Sequence, residues 1–242
     1  MRGLRSMKRG GVEAVMRGEV GMRERSQAIV ADGAGCFVDD QPLLAPVDIE
    51  IAFGERVAVR GVNGAGKTTL LRMLSGRMRP TVGEVLFENA PIDDRRPEVR
   101  SAVASLVGVP SFYPDLTVRE QLRLIAATWR MGRAESEERV DAVLEEFAIT
   151  ALSRRFAHEL SSGQTQMFYL ASTFLRPFRV LLLDEPEQRL DPDRKAQLAR
   201  AMKRVSEAGA AIVFASHDSW LVDTVADRTC LLGVANVEAG SE

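Results

Sequence analysis

The chain has 242 residues, enough for one large domain or one domain with an inserted lobe. Hydrophobic residues make up 45% and charged residues 27%, the proportions of a soluble globular protein whose core needs no disulfides. A formal net charge of −2 excludes a global field that draws the protein to nucleic acid. The two cysteines, Cys36 and Cys230, show no metal-ligand spacing and read as reduced thiols.

No apolar run reaches the length of about 18 residues that crosses a bilayer. The basic start (Arg2, Arg5, Lys8, Arg9) is not followed by the apolar stretch of a secretory signal. Residues 1–27 are rich in Arg, Gly and Met and are expected to be a disordered basic tail. A basic arm for lipid headgroups is the alternative.

Order is expected from about Ala28. Pro46–Glu50 and Arg56–Arg60 read as short strands, and the second runs into a glycine-rich loop. A helix is expected over Lys67–Ser75, stopped by Gly76. Gly83–Phe87 reads as another strand. Thr117-Val118-Arg119-Glu120 forms a capping box. It opens a helix with Val118, Leu122, Ile125 and Trp129 on one face. Val140, Val143, Leu144 and Phe147 form a second helical stripe, and both stripes are expected to be core. Further on, Val180–Leu183 is an apolar run suited to a strand buried on both faces. Asp191 caps a helix that has Pro192 at its first position and Leu198, Met202 and Val205 on its inner face. Ala211–Ala215 reads as a second buried strand, ending at Ser216-His217.

The strongest chemical signal is Gly61-Val62-Asn63-Gly64-Ala65-Gly66-Lys67-Thr68-Thr69, a phosphate-binding P-loop between a strand and a helix. Glycines let the backbone wrap closely around phosphate, and the helix adds its positive N-terminal end. Lys67 would reach the β- and γ-phosphates and the Thr68 hydroxyl would ligate Mg²⁺. The second signal is Asp184-Glu185 at the end of the buried run. Acidic residues there lie at the ligand edge of an α/β sheet. Asp184 would hold Mg²⁺, and Glu185 could polarise the attacking water as a general base. The third is Leu160-Ser161-Ser162-Gly163-Gln164. By itself this is a helix N-cap that offers N–H groups to an anion.

Together these segments resemble an ABC-type ATPase, the nucleotide-binding subunit of an ABC transporter. The resemblance rests on the P-loop, on Leu160–Gln164 as the signature turn, on the acidic strand end, on Leu190-Asp191 as the D-loop, and on His217 as the switch histidine. It covers about Ala28–Val237. The segment Tyr113–Glu120 further resembles ATPases of ABC-2-type exporters. The implied fold is an α/β P-loop NTPase core with an antiparallel β lobe and a helical lobe inserted over about 116–156, in one ATP-binding domain over 28–242.

The implied cofactors are ATP and Mg²⁺. The implied partners are a second ATPase subunit and a separate transmembrane permease, which would hold the protein at the cytoplasmic face of the cell membrane. No nucleic acid partner is expected. Each ATP would lie between the P-loop of one subunit and Ser161, Ser162, Gly163 and Gln164 of the other, with Asp191 near the interface. His217 would contact the γ-phosphate and the attacking water. Phe37, 24 residues before Gly61, would stack on adenine.

The sequence departs from the family at several points. Gly108 stands where a Mg²⁺-binding glutamine is usual, with Ser105 or Ser111 as substitutes after a local shift. Ser162 replaces a glycine, Met167 a basic residue and Arg189 a small one. Arg189 is expected to pair with Glu187 or with the opposite subunit. Three readings stay open: an active transport ATPase, a nucleotide-switched module with no transport role, and a weakly active regulatory half of a heterodimer, the last motivated by Gly108 and Arg189.

Overall fold

The computed structural model describes residues 26–39 and 41–233. The expected tail lies outside the described residues except at its last two positions. Gln27 is not tail: it begins strand β1 (Gln27–Val38), pairs with Ala52, and its side-chain amide donates to Glu50 at 2.7 Å.

Two sheets form the framework. The first is antiparallel, in the order β2-β1-β4-β5, from β1, β2 (Gln41–Ala52), β4 (Val82–Phe87) and β5 (Ala90–Pro91). The second is parallel, in the order β6-β7-β8-β3-β9. Its strands are β3 (Arg56–Arg60), β6 (Val103–Leu106), β7 (Val180–Asp184), β8 (Ala211–Ala215) and β9 (Arg228–Leu231). Strands β7 and β8 sit inside this sheet, and every residue of both except Asp184 is buried. A strand covered on both faces needs an unbroken apolar run, and that is what Val180–Leu183 and Ala211–Ala215 supply.

Helix α1 (Lys67–Leu74) follows the P-loop and buries Leu70, Leu71, Met73 and Leu74 between the two sheets' residues. Gly76 takes φ +75° just beyond its end, the expected stop. Helix α2 (Pro97–Ala102) leads into β6.

Helix α3 (Val118–Thr128) opens on Thr117. The Thr117 Oγ1 accepts from the Glu120 N–H and the Glu120 carboxylate takes the Thr117 N–H at 2.8 Å, the full reciprocal capping box. Helix α4 (Arg133–Glu146) presents Val140, Val143 and Leu144, with Phe147 just past its end; all four are buried. This helical segment leaves and returns at one place. Thr117 bridges Phe156, and the Val118 and Arg119 N–H groups donate to the Arg155 and Ser153 carbonyls. Its apolar side chains join one core cluster with helix α5 (Ser162–Leu175), helix α6 (Pro192–Glu207) and the face of the parallel sheet that carries Leu181, Leu183 and Phe214. Helix α7 (Ser219–Val225) follows β8.

Trp129 departs from its expected core place. It is the C-cap of α3, half-buried, with the Arg176 guanidinium 4.0 Å from its ring centroid. The ring's polarisable face suits a cation and leaves one side open to solvent.

Candidate functional site

Three loops leave the C-terminal ends of three neighbouring parallel strands, β7, β8 and β3. They carry Asp184-Glu185, Ser216-His217 and the P-loop. This adjacency brings segments more than 100 residues apart within hydrogen-bonding reach, and it is where open α/β sheets bind ligands.

In the P-loop, Gly66 adopts φ +91°, a left-handed conformation that L side chains rarely take. A Cβ there would come within 2.6 Å of the Leu43 carbonyl oxygen and 2.7 Å of Leu44 Cδ1. The loop thus lies against β2, and the first turn of α1 starts from it. Lys67 is 8% exposed. Its Nζ donates to the Gly61 carbonyl at 3.0 Å and the Val62 carbonyl at 3.1 Å, so the amine is folded into the loop it follows. Gly61, Gly66, Thr68 and Thr69 are half-buried, Asn63 and Gly64 exposed, and Ala65 buried.

The Thr68 hydroxyl donates to Asp184 Oδ2 at 2.7 Å across 116 residues of sequence. Magnesium takes oxygen ligands at about 2.0–2.1 Å in octahedral geometry, which sets adjacent ligands about 2.9 Å apart. The two oxygens are therefore spaced to share one such ion, with phosphate oxygens and water completing it. Glu185 follows with φ +47°, and its N–H is held by the Ala215 carbonyl at 2.9 Å. His217, about half exposed, places Nε2 3.7 Å from Glu185 Oε1. The strand ends bring together Thr68, Asp184, Glu185 and His217.

Phe37 is half-buried in β1, opposite Pro42, and its N–H donates to Thr81 Oγ1 at 3.0 Å. Leu43 and Leu44, just beyond Pro42, touch Gly66, so this end of the antiparallel sheet borders the P-loop.

The signature turn lies elsewhere on the chain. Ser161 is the N-cap of α5: its N–H donates to Gln164 Oε1 at 2.9 Å and its Oγ accepts from the Gln164 N–H at 3.4 Å. Ser161 and Ser162 are exposed at a helix N-terminus, whose free N–H groups favour an anion. Among the described residues no hydrogen bond joins Ser161–Gln164 to the P-loop. The turn packs instead on the loop before α6. A Cβ on Gly163 would sit 2.7 Å from the Arg189 carbonyl oxygen and 2.7 Å from the Arg194 guanidinium. Gly163→Ala is therefore expected to lower stability by about 1–3 kcal/mol, the range of overpacking. A melting curve unchanged from wild type would show that this contact has slack. Asp191 caps α6, accepting from the Arg194 N–H at 2.9 Å.

One expectation about the departures changes. Arg189 and Glu187 do not form an ion pair. Arg189 is exposed with φ +63°, whereas Glu187 is buried and takes the Ser216 hydroxyl at 2.5 Å. Burial pushes the Glu187 carboxyl up, with the Ser216 hydrogen bond working against that rise. Met167 is 1% exposed, so a basic side chain there would enter the core. Gly108 is exposed just beyond β6 with φ +80°, and a Cβ would meet nothing within 4 Å. There is room for a side chain, but the backbone disfavours one. Ser105 and Ser111 line a groove of about 380 Å³ with Phe112, Tyr113 and Arg176. The sequence pointed to Glu187 only as a partner for Arg189; its bond to Ser216, 29 residues on, leaves no local signal.

The fold and this loop arrangement define an α/β P-loop nucleotide-binding protein. The ABC transporter family pattern matches residues 44–188, more than half of the chain, and the chain belongs to that family. Its cassettes bind ATP with Mg²⁺ and hydrolyse it. The energy-coupling factor transporter ATP-binding protein EcfA of Methanothermobacter thermautotrophicus is 31% identical over 201 residues, 81% of this chain and 64% of that relative. The SkfA peptide export ATP-binding protein SkfE of Bacillus subtilis is 33% identical over 186 residues, 77% of each. A solved ATP-binding subunit of an ABC transporter superposes with a TM-score of 0.77 at 28% identity, covering 85% of both chains. The chain spans just under two thirds of the first relative's length.

Proposed function

We propose that this chain hydrolyses ATP to drive export of a substrate through a separate membrane subunit. The observation that carries the reading is the meeting of Thr68, Asp184, Glu185 and His217 beside the P-loop. The ATP-binding domain would cover 28–242, with a helical lobe over about 116–156. ATP bound here supplies the phosphoanhydride bond that is cleaved, and Mg²⁺ supplies charge neutralisation on its phosphates. Backbone N–H groups of Gly64, Ala65 and Gly66, with Asn63 and Thr69 at the loop's flanks, would cradle phosphate. Lys67 would leave the Gly61 and Val62 carbonyls to place its charge on phosphate oxygens. Thr68 and Asp184 would exchange their mutual hydrogen bond for the metal. Glu185 would accept the proton of the attacking water, and His217 would orient that water and the γ-phosphate. Phe37 would offer its ring to the base.

The Ser161–Gln164 turn, exposed at Ser161 and Ser162, makes no hydrogen bond to the P-loop of its own chain among the described residues, which supports a head-to-tail dimer with two composite sites. ATP binding such a closed dimer and not the open one would stabilise it by mass action. Export is supported by the Tyr113–Glu120 segment and by similarity to a relative named for peptide export. No helix among the described residues is long and apolar enough to cross a membrane, in keeping with a peripheral subunit on the cytoplasmic side. The groove around Ser111, Phe112 and Tyr113 would receive the permease. A second reading, a weakly active half of a heterodimer, is favoured by Gly108 and Arg189. Magnesium-dependent ATP turnover by the purified chain tests the proposal. Sustained turnover supports the active reading; ATP binding without turnover favours the heterodimer half; no binding overturns both.

A further inference from the structure

Glu187 has no part in the chemistry above, yet it is among the most costly side chains to bury. It is 7% exposed, and its Oε2 is buried with no hydrogen-bond partner among the described residues. A buried carboxyl with one oxygen unmatched disfavours folding, so a local account of stability does not explain it.

Its other oxygen makes a connection. Glu187 Oε1 accepts from Ser216 Oγ at 2.5 Å, and the same Ser216 Oγ accepts from the Asp218 N–H at 3.0 Å. Ser216 itself is fully buried. Its hydroxyl therefore fixes the backbone on both sides of His217. Asp218 is fixed in turn: Lys195 Nζ reaches Oδ2 at 2.5 Å and the Leu221 N–H reaches Oδ1 at 2.9 Å. One residue pair away, the Glu185 N–H bonds the Ala215 carbonyl at 2.9 Å. Two ties thus join the 185–187 turn to the 215–218 turn: one through the backbone of Glu185, one through the side chain of Glu187. The free ends between them are the Glu185 carboxylate and the His217 imidazole, 3.7 Å apart.

We propose that Glu187 is a positioning residue, holding His217 at its working distance from Glu185 through the Ser216 hydroxyl. The brace needs an acceptor at Oε1 and no charge, because Ser216 donates. Glutamine can meet that need and leucine cannot, although leucine fills a similar volume. The proposal rests on the ATPase reading of this site.

The test is steady-state ATP turnover of the full chain in four forms: wild type, Glu187→Leu, Glu187→Gln and Ser216→Ala, with the Glu187→Leu/Ser216→Ala double variant. Misplacing a reacting group by a fraction of an ångström costs about tenfold to hundredfold in rate. Expected are a kcat lowered about tenfold or more in Glu187→Leu, little change in KM for ATP, and recovery of most of that loss in Glu187→Gln. Ser216→Ala should lower kcat similarly, and the double variant should fall no further than either single change, since one connection is cut twice. Equal kcat in wild type and Glu187→Leu overturns the proposal, as does an additive double variant. If Glu187→Leu fails to fold, Ser216→Ala decides: wild-type kcat there overturns the brace. A wild type that binds no ATP overturns the functional reading and this proposal together, whereas an active wild type beside an equally active Glu187→Leu overturns this proposal alone.

Discussion

Lys67→Ala is expected to leave a folded protein whose ATP turnover falls by about 10²–10³-fold or more, the loss seen when a donor aimed at developing charge is removed. The structure explains why the fold should survive. The Lys67 amine bonds two carbonyls of its own loop, Gly61 and Val62. Val62 is 57% exposed, so water can replace that donor at small cost. Helix α1 also stays anchored by the buried Leu70, Leu71, Met73 and Leu74. The lost function has no such replacement, because water carries no positive charge to the phosphates. Turnover by Lys67→Ala equal to wild type would sink the P-loop assignment, and a collapsed melting temperature would show that the amine is chiefly structural.

The second large effect is expected at Glu185. Glu185→Gln keeps the shape of the side chain and removes its basicity. Proton acceptance contributes about 10²–10⁴-fold to rate, so turnover should fall within that range while ATP binding persists. With hydrolysis blocked, ATP should hold two subunits together. Gel filtration with ATP and Mg²⁺ should show a dimer that the wild type forms only transiently. A variant that binds ATP yet stays monomeric would mean that the two composite sites are misconceived. The His217–Glu185 approach of 3.7 Å adds a local expectation: glutamine retains a polar partner for the imidazole, so the His217 loop should stay in place.

The sequence was most legible where one local rule decides a structure alone. The Thr117–Glu120 capping box, the Gly76 stop, the Asp191 cap and the continuous apolar strands β7 and β8 all have a single reading. Elements whose stability comes from distant partners were harder. Strand β1 contains Asp32, Gly33 and Gly35, which break strict alternation, and its pairing with β2 shifts register four times. Only the neighbours β2 and β4 make it a strand. Strands β6 and β9 have four residues each, too short to show a period, and their place is set by β7 and β3. Within the site, residues of the P-loop and acidic strand end could be named from their motifs. Glu187 could not, because its meaning depends on Ser216, 29 residues on.

The close fit of Gly163 against the Arg189 carbonyl has a mechanical consequence. With no space for even a methyl group between them, the start of α5 and the loop before α6 are in direct backbone contact. Hydrogen exchange of the two segments is therefore expected to change together when Gly163 is replaced by alanine. A displacement of the signature turn toward that loop would press directly on the Arg189 carbonyl, because close-packed atoms have little room to yield.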